Sequence, residues 1–143
     1  MTAGIQQRTE LAAEVVARFG SARIRVQGSS MLPSIRPGDE IELRPVAPQA
    51  IEIGDVVAYR RADRLFVHRV VARNSQRELV TRGDTLPQAD APVSESELLG
   101  AVSAVRRNGR NVSLQSTLAR RATASLFRSS QLCAALFQKI TSL

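Results

Sequence analysis

Cysteine, tryptophan, lysine and histidine are scarce in this chain. Its 143 residues include one cysteine, no tryptophan, one tyrosine and one histidine, and the only lysine is Lys139. A lone thiol, Cys133, excludes an intramolecular disulfide. With a single imidazole beside it, no thiolate and imidazole cluster for a structural zinc can form, and no metal or cofactor is expected. Nothing therefore calls for an oxidising compartment. The shortage of aromatic rings leaves little on which unpaired bases could stack, so nucleic acid is not expected as the partner. No run approaches the ~20 apolar residues that cross a bilayer. The polar opening, Met1 to Glu10, lacks the apolar centre of a signal peptide. The expected location is cytoplasmic, with contact to a membrane only at its periphery.

What the chain does hold is arginine. The formal net charge is +7, spread along the whole length, and such a field favours acidic surfaces, anionic lipid among them. The length suits one domain with a core of its own.

Three regions follow from periodicity. In residues 1–21, Leu11, Ala12, Val15, Val16 and Phe19 recur at helical spacing and Gly20 supplies a stop, which predicts a short amphipathic helix. Residues 22–115 change to a period of two. Ile24 and Val26 alternate with Arg23, Arg25 and Gln27, and Ile41 and Leu43 alternate with Glu40, Glu42 and Arg44. Apolar runs at Val56 to Tyr59, Leu65 to Ala72, Leu79 to Thr81 and Leu98 to Val105 read as further strands. Gly38-Asp39, Gly54-Asp55 and Gly83-Asp84 read as turns, with the aspartates as turn formers. Asn108-Gly109 reads as a hairpin turn into Asn111 to Leu114. Residues 116–143 return to helical spacing, with Leu118, Ala122, Leu126, Leu132, Ala135, Leu136 and Ile140 among basic residues. This basic amphipathic tail either lies on a membrane surface or packs on the β region. The expected fold is mainly β, of α+β type, with a helix at each end.

The chemistry concentrates in two phrases. Gly28-Ser29-Ser30-Met31-Leu32-Pro33 is a turn after a strand, able to expose a hydroxyl while aiming backbone N–H groups at a developing oxyanion. Phe66-Val67-His68-Arg69-Val70-Val71 holds the only imidazole. A serine needs a neighbour that takes its proton and is substantially unprotonated near neutral pH, which an imidazole with an ordinary pKa near ~6.5 can be. Arginine cannot serve, because it does not deprotonate. In a serine hydrolase built from this chain, Ser30 is the nucleophile to test and His68 its base. Taken alone, Ser30 suits an ordinary turn and His68 a packed strand face.

The order of motifs resembles the type I signal peptidase family. That order is Gly-x-Ser-Met-x-Pro, Gly-Asp, a second Gly-Asp heading a strand, His-Arg-Val-Val, and Arg-Gly-Asp with a further aspartate six residues on. The match is to the branch in which histidine replaces lysine as base, and it runs from about Arg25 to Val102. The resemblance implies a serine endopeptidase that cuts a precursor or leader peptide after small residues. It implies Ser30 as nucleophile, His68 as general base and Asp90 as orienter of the imidazole, with Asp90 preferred to Asp84 for that place and Asp84 shaping the turn. Gly28, Ser29 and Met31 would support the nucleophile turn and its oxyanion site. The partner implied is a peptide or protein precursor.

The chain departs from the family in three respects. Gly28 stands where a serine often helps hold the oxyanion, Thr85-Leu86 stands where two asparagines are usual, and the family's transmembrane anchor is not expected from these residues. Gly28 and Thr85 favour an alternative, a weakly active or non-catalytic member of the fold that adds an extended peptide to a sheet edge. A third relative, the self-cleaving repressor domain, shares the Gly-x-Ser-Met turn but uses a lysine base, and no lysine precedes Lys139.

Overall fold

Alternation of polar and apolar residues is a strand's way of burying one face, and seven strands form where the sequence alternates or runs apolar. They are β1 (Ala22–Arg25), β2 (Glu40–Arg44), β3 (Val56–Arg61), β4 (Arg64–Arg73), β5 (Leu79–Arg82), β6 (Leu98–Arg107) and β7 (Arg110–Val112). The structure is a computed structural model that describes residues 11–114 except 12, 13 and 17. The helix expected over residues 116–143, Cys133 and Lys139 included, lies outside the described residues.

All strand pairs are antiparallel, in one sheet ordered β1-β2-β6-β3-β4-β5, with β7 paired to β6. β3 lies inside the sheet, and both of its faces are buried from Val56 to Tyr59. One core gathers Met31, Ile35, Ile41, Leu43, Val56, Ala58 and Val105, and a second gathers Ile51, Val57, Tyr59, Val70, Leu79 and Val93. Neighbouring residues of β3 feed opposite cores, which is why its sequence reads as a continuous apolar run rather than an alternation. Each such aliphatic side chain removed from water contributes about 1.5–3 kcal/mol. The turn residues Ala62 and Asp63, both at positive φ, join β3 to β4. Sequence reasoning had no signal for this hairpin, because neither residue is a glycine.

The described positions among residues 11–19 are helical, and Gly20, at φ +73°, donates its N–H to the Val16 carbonyl at 3.1 Å. Of the expected apolar stripe, Val16 is buried and Val15 packs against the first core, whereas Leu11 and Phe19 are exposed. The contact is narrower than the stripe.

The long connection from β5 to β6 is held by Arg61. Its guanidinium donates to both Glu97 oxygens at 2.8 Å and to the carbonyls of Ala91 and Pro92 at 3.1 and 2.8 Å. The Arg61 guanidinium above all, with the Ser94 N–H at 3.0 Å, holds the Glu97 carboxyl down to about 2 from its ordinary 4.5. A carboxyl lowered by folding contributes stability above its ordinary value and loses it as pH falls toward the folded value. Resistance to denaturant is therefore expected to fall between about pH 4.5 and 2, with Glu97→Gln flattening that decline. An unchanged pH slope in the variant would show that Glu97 takes no part in it.

Candidate active site

The nucleophile turn is anchored by what flanks Ser30. Met31 is 2% exposed and Ile35 fully buried, so two apolar side chains pull the turn onto the first core. The Ile35 N–H donates to the Met31 carbonyl at 2.9 Å and Leu32 to Ser29 at 3.2 Å. Upstream, Val26 exchanges backbone bonds with Asp39 and Gly38 at 2.8 Å, which continues the pairing of β1 with the start of β2. Ser30 is left half-buried at the surface.

His68 pairs with Val57 across the β3–β4 ladder, on the face that also carries Phe66 and Val70. Its ring stands edge-on to Tyr59 and Phe66, with centroids 6.2 and 5.9 Å away. Asp90 arrives on the segment that returns along β5. Its N–H donates to the Thr81 carbonyl at 2.8 Å, and Val93 bonds Leu79 in the same manner at 2.8 Å. The structure thus brings together three residues from distant parts of the sequence. Ser30 Oγ lies 3.1 Å from His68 Nε2, and His68 Nδ1 lies 2.6 Å from Asp90 Oδ2.

The donors in this row follow from chemistry. An ionised carboxylate has no proton to give, so Nδ1–H donates to Asp90 and the neutral ring presents Nε2 as an acceptor for the Ser30 hydroxyl. The His68 side chain is only 5% exposed, so an imidazolium formed there would be poorly solvated by water and would depend on Asp90. Asp90 has further support. Thr81 Oγ1 donates to the same Oδ2 at 2.8 Å. Tyr59 is buried beside them, and burial pushes its hydroxyl's pKa up to about 12, so it stays protonated at ordinary pH.

Asp84 does more than shape a turn. Its carboxylate accepts from Arg69 Nε and Nη2, both at 2.8 Å, and from Ser34 Oγ at 2.9 Å, while Arg69 Nη1 donates to the Gly54 carbonyl at 2.9 Å. One ion pair thereby joins β4 beside His68, the nucleophile turn, and the loop ahead of β3. With both Asp84 oxygens engaged in this way, Asp90 is the carboxylate bonded to the imidazole. The other two aspartates form turns as expected, Asp39 accepting the Arg36 N–H at 2.8 Å. Asp55 accepts the Glu52 N–H at 2.9 Å in the same way, and Asp39, 2% exposed, also pairs with Arg107 at 2.7 Å. The Arg107 guanidinium holds the Asp39 carboxyl below the usual carboxylate range.

The three Gly-Asp pairs are likewise not equivalent. Gly38 and Gly54 take positive φ, whereas Gly83 is required for close approach. A Cβ there would stand 2.9 Å from the Ser30 carbonyl oxygen and 2.9 Å from Leu86 Cδ1. Leu86 can swing away; the backbone of the nucleophile cannot. Gly83→Ala is expected to displace Ser30 and reduce any Ser30-dependent turnover by about 10²-fold, the order of loss that a 1 Å misplacement costs. Wild-type rates in that variant would sink the idea. Thr85, a departure from the resembled pattern, clamps the same carbonyl, with its N–H at 3.0 Å and its Oγ1 at 3.1 Å. Gly28 is exposed with open space where a Cβ would be, Ser29 is exposed, and among the described residues no acceptor takes the Ser30 N–H. That amide is therefore free to meet an oxyanion.

Thr81, Tyr59, Arg69 and Ser34 were missed in the sequence. Arg69 had a signal, an arginine inside an apolar strand run, where burial demands a partner. Among the described residues, no group of three or more His, Cys, Asp or Glu is placed to hold a metal, and no helix is long and apolar enough to cross a membrane.

The model of the family described as peptidase S24-like matches residues 2–103. No curated protein matches the chain. The family match supports a serine peptidase or self-cleaving-repressor kind of fold. It does not single out the type I signal peptidases that the order of motifs resembles, nor their histidine-base branch.

Proposed function

Because the chain belongs to the peptidase S24-like family, we propose that it is a serine endopeptidase with Ser30 as nucleophile, His68 as general base and Asp90 as orienter. The observation that carries this reading is the two-bond row from Asp90 through His68 to Ser30, at 2.6 and 3.1 Å. Ser30 Oγ attacks a peptide carbonyl while Nε2 takes its proton, and the oxygen that becomes negative is met by the Ser30 amide. His68 then returns the proton to the departing amine, leaving an acyl ester on Ser30. Water, activated by the same imidazole, hydrolyses the ester.

The finer proposal is a signal-peptidase type of cut, after small residues of a precursor or leader peptide. It rests on the resemblance from about Arg25 to Val102. Contact with anionic membranes through the terminal segments belongs to the same proposal.

A serine-directed fluorophosphonate followed by intact mass tests the core reading. A single adduct on native protein, absent from Ser30→Ala, is expected. A peptide pool rich in Ala-x-Ala sites, with and without anionic vesicles, then tests the finer one. Gly28 favours a second reading, a peptide binder with little turnover, because one oxyanion donor supplied by a side chain is missing there. That reading requires no adduct, no cleavage, and peptide binding that survives Ser30→Ala.

A further inference from the structure

The face that carries His68 continues along β4 to the tip of the β3–β4 hairpin. Tyr59 and Phe66 oppose each other in the ladder and stack at 5.3 Å, with planes 12° apart. Arg61 lies over Tyr59 at 5.3 Å and Arg64 over Phe66 at 5.6 Å, and these two arginines are themselves directly opposed. Like charges facing each other across a ladder repel. Arg61 is neutralised by Glu97 and makes four hydrogen bonds within the fold. Arg64 is exposed, and among the described residues no carboxylate or carbonyl accepts from it. Its neighbour Asp63 sits in the turn at φ 60°, and among the described residues no ion pair joins the two. A guanidinium lying on a ring keeps its N–H edge directed outward, in the fork geometry that matches a carboxylate.

We infer that Arg64, seated on Phe66, is a specificity subsite for an acidic side chain of the extended peptide that Ser30 and His68 would cut. The inference rests on the peptidase reading for its substrate and deepens it. Alternate residues of a strand are about 7 Å apart, so Phe66 lies about 7 Å and Arg64 about 13 Å along the row from His68. β5 pairs β4 only from Arg69 onward, and an extended peptide added along the edge left unpaired from Arg64 to His68 keeps the same spacing. A residue two places from the scissile bond meets the partly exposed Phe66 ring, and one four places away meets Arg64. Phe66 thus takes an apolar side chain and Arg64 takes aspartate or glutamate.

Two measurements test this, each in the Arg64 and the Arg64→Glu protein. Immobilised Ser30→Ala protein is incubated with a random pool of short peptides, and the retained fraction is read by mass spectrometry. Active protein is profiled for residue preference around the bonds it cuts in the same pool. Retained peptides are expected to be enriched about three- to fivefold in Asp and Glu, the worth of an exposed ion pair. Cleaved peptides should carry that enrichment about four residues from the cut, on one side only. In Arg64→Glu the preference should invert to Lys and Arg, and Arg64→Lys should restore part of the acidic preference. The effect belongs to KM rather than kcat, because the contact is the same in ground and transition states. Identical charge preferences in both proteins would overturn the subsite while leaving the peptidase reading intact. Charge-dependent retention without cleavage would support the subsite and overturn the peptidase.

Discussion

Alanine at His68 is expected to lower kcat/KM for peptide cleavage by about 10⁴-fold or more, and alanine at Ser30 to do the same. Each removes one end of the 3.1 Å contact through which the hydroxyl proton leaves. The double variant should be no worse than either single one, because a nucleophile without its base and a base without its nucleophile are equally idle. Asp90→Asn is predicted to retain the shape of the site and lose most of the rate. An amide can donate to Nδ1, which would turn the proton to Nε2 and abolish the acceptor that Ser30 needs. Rates on a fluorogenic peptide, with circular dichroism to show that each variant folds, decide the matter. Activity within tenfold of the native protein in His68→Ala would remove His68 as the base.

Asp84→Ala is expected to cost about 3–5 kcal/mol of stability, because it leaves the Arg69 guanidinium buried without its carboxylate. The Arg69 and Asp84 side chains are 7% and 11% exposed, so water cannot readily replace the lost partner. For a domain of this size the melting temperature should fall on the order of 10–20 °C. Replacing both partners by apolar residues, Arg69→Met with Asp84→Leu, should restore much of that stability, since no unpaired charge remains. Turnover should stay low even then, because Ser34 in the nucleophile turn loses its bond to Asp84. Equal melting temperatures for native protein and Asp84→Ala would show that the pair does not hold the turn.

Much of the fold was legible because burial leaves a local trace. Alternation at Ile41 and Leu43 marks a strand with one wet face, and the unbroken run at Val56 to Tyr59 marks a strand covered on both faces. Gly38 and Gly54 mark turns because their positive φ is a backbone requirement written in residue type. The position of Ser30 in a turn and of His68 on a strand followed from the same local patterns. Their pairing with Asp90 rested on a resemblance in the order of motifs, since nothing local links residues 38 and 22 positions apart.

Roles that depend on contact between distant elements were not legible. Asp84 looked like its counterparts Asp39 and Asp55, yet the fold places the Arg69 guanidinium against Asp84 and the Arg107 guanidinium against Asp39. Thr85 looked like a departure from a pattern, and the packing of its loop makes it a clamp on the Ser30 carbonyl. Thr81 carried no signal, because a threonine in a strand is ordinary until a carboxylate comes within 2.8 Å of it.

By itself the sequence determined the strands, most of the turns and the small stock of groups able to do acid and base chemistry. Hydrophobic period and backbone preference act over a few residues and survive in any one stretch of chain. Tertiary structure alone decided which aspartates meet a guanidinium, which arginine is neutralised and which is left open. Those outcomes are set by distances of a few ångströms between segments that meet only when the sheet closes.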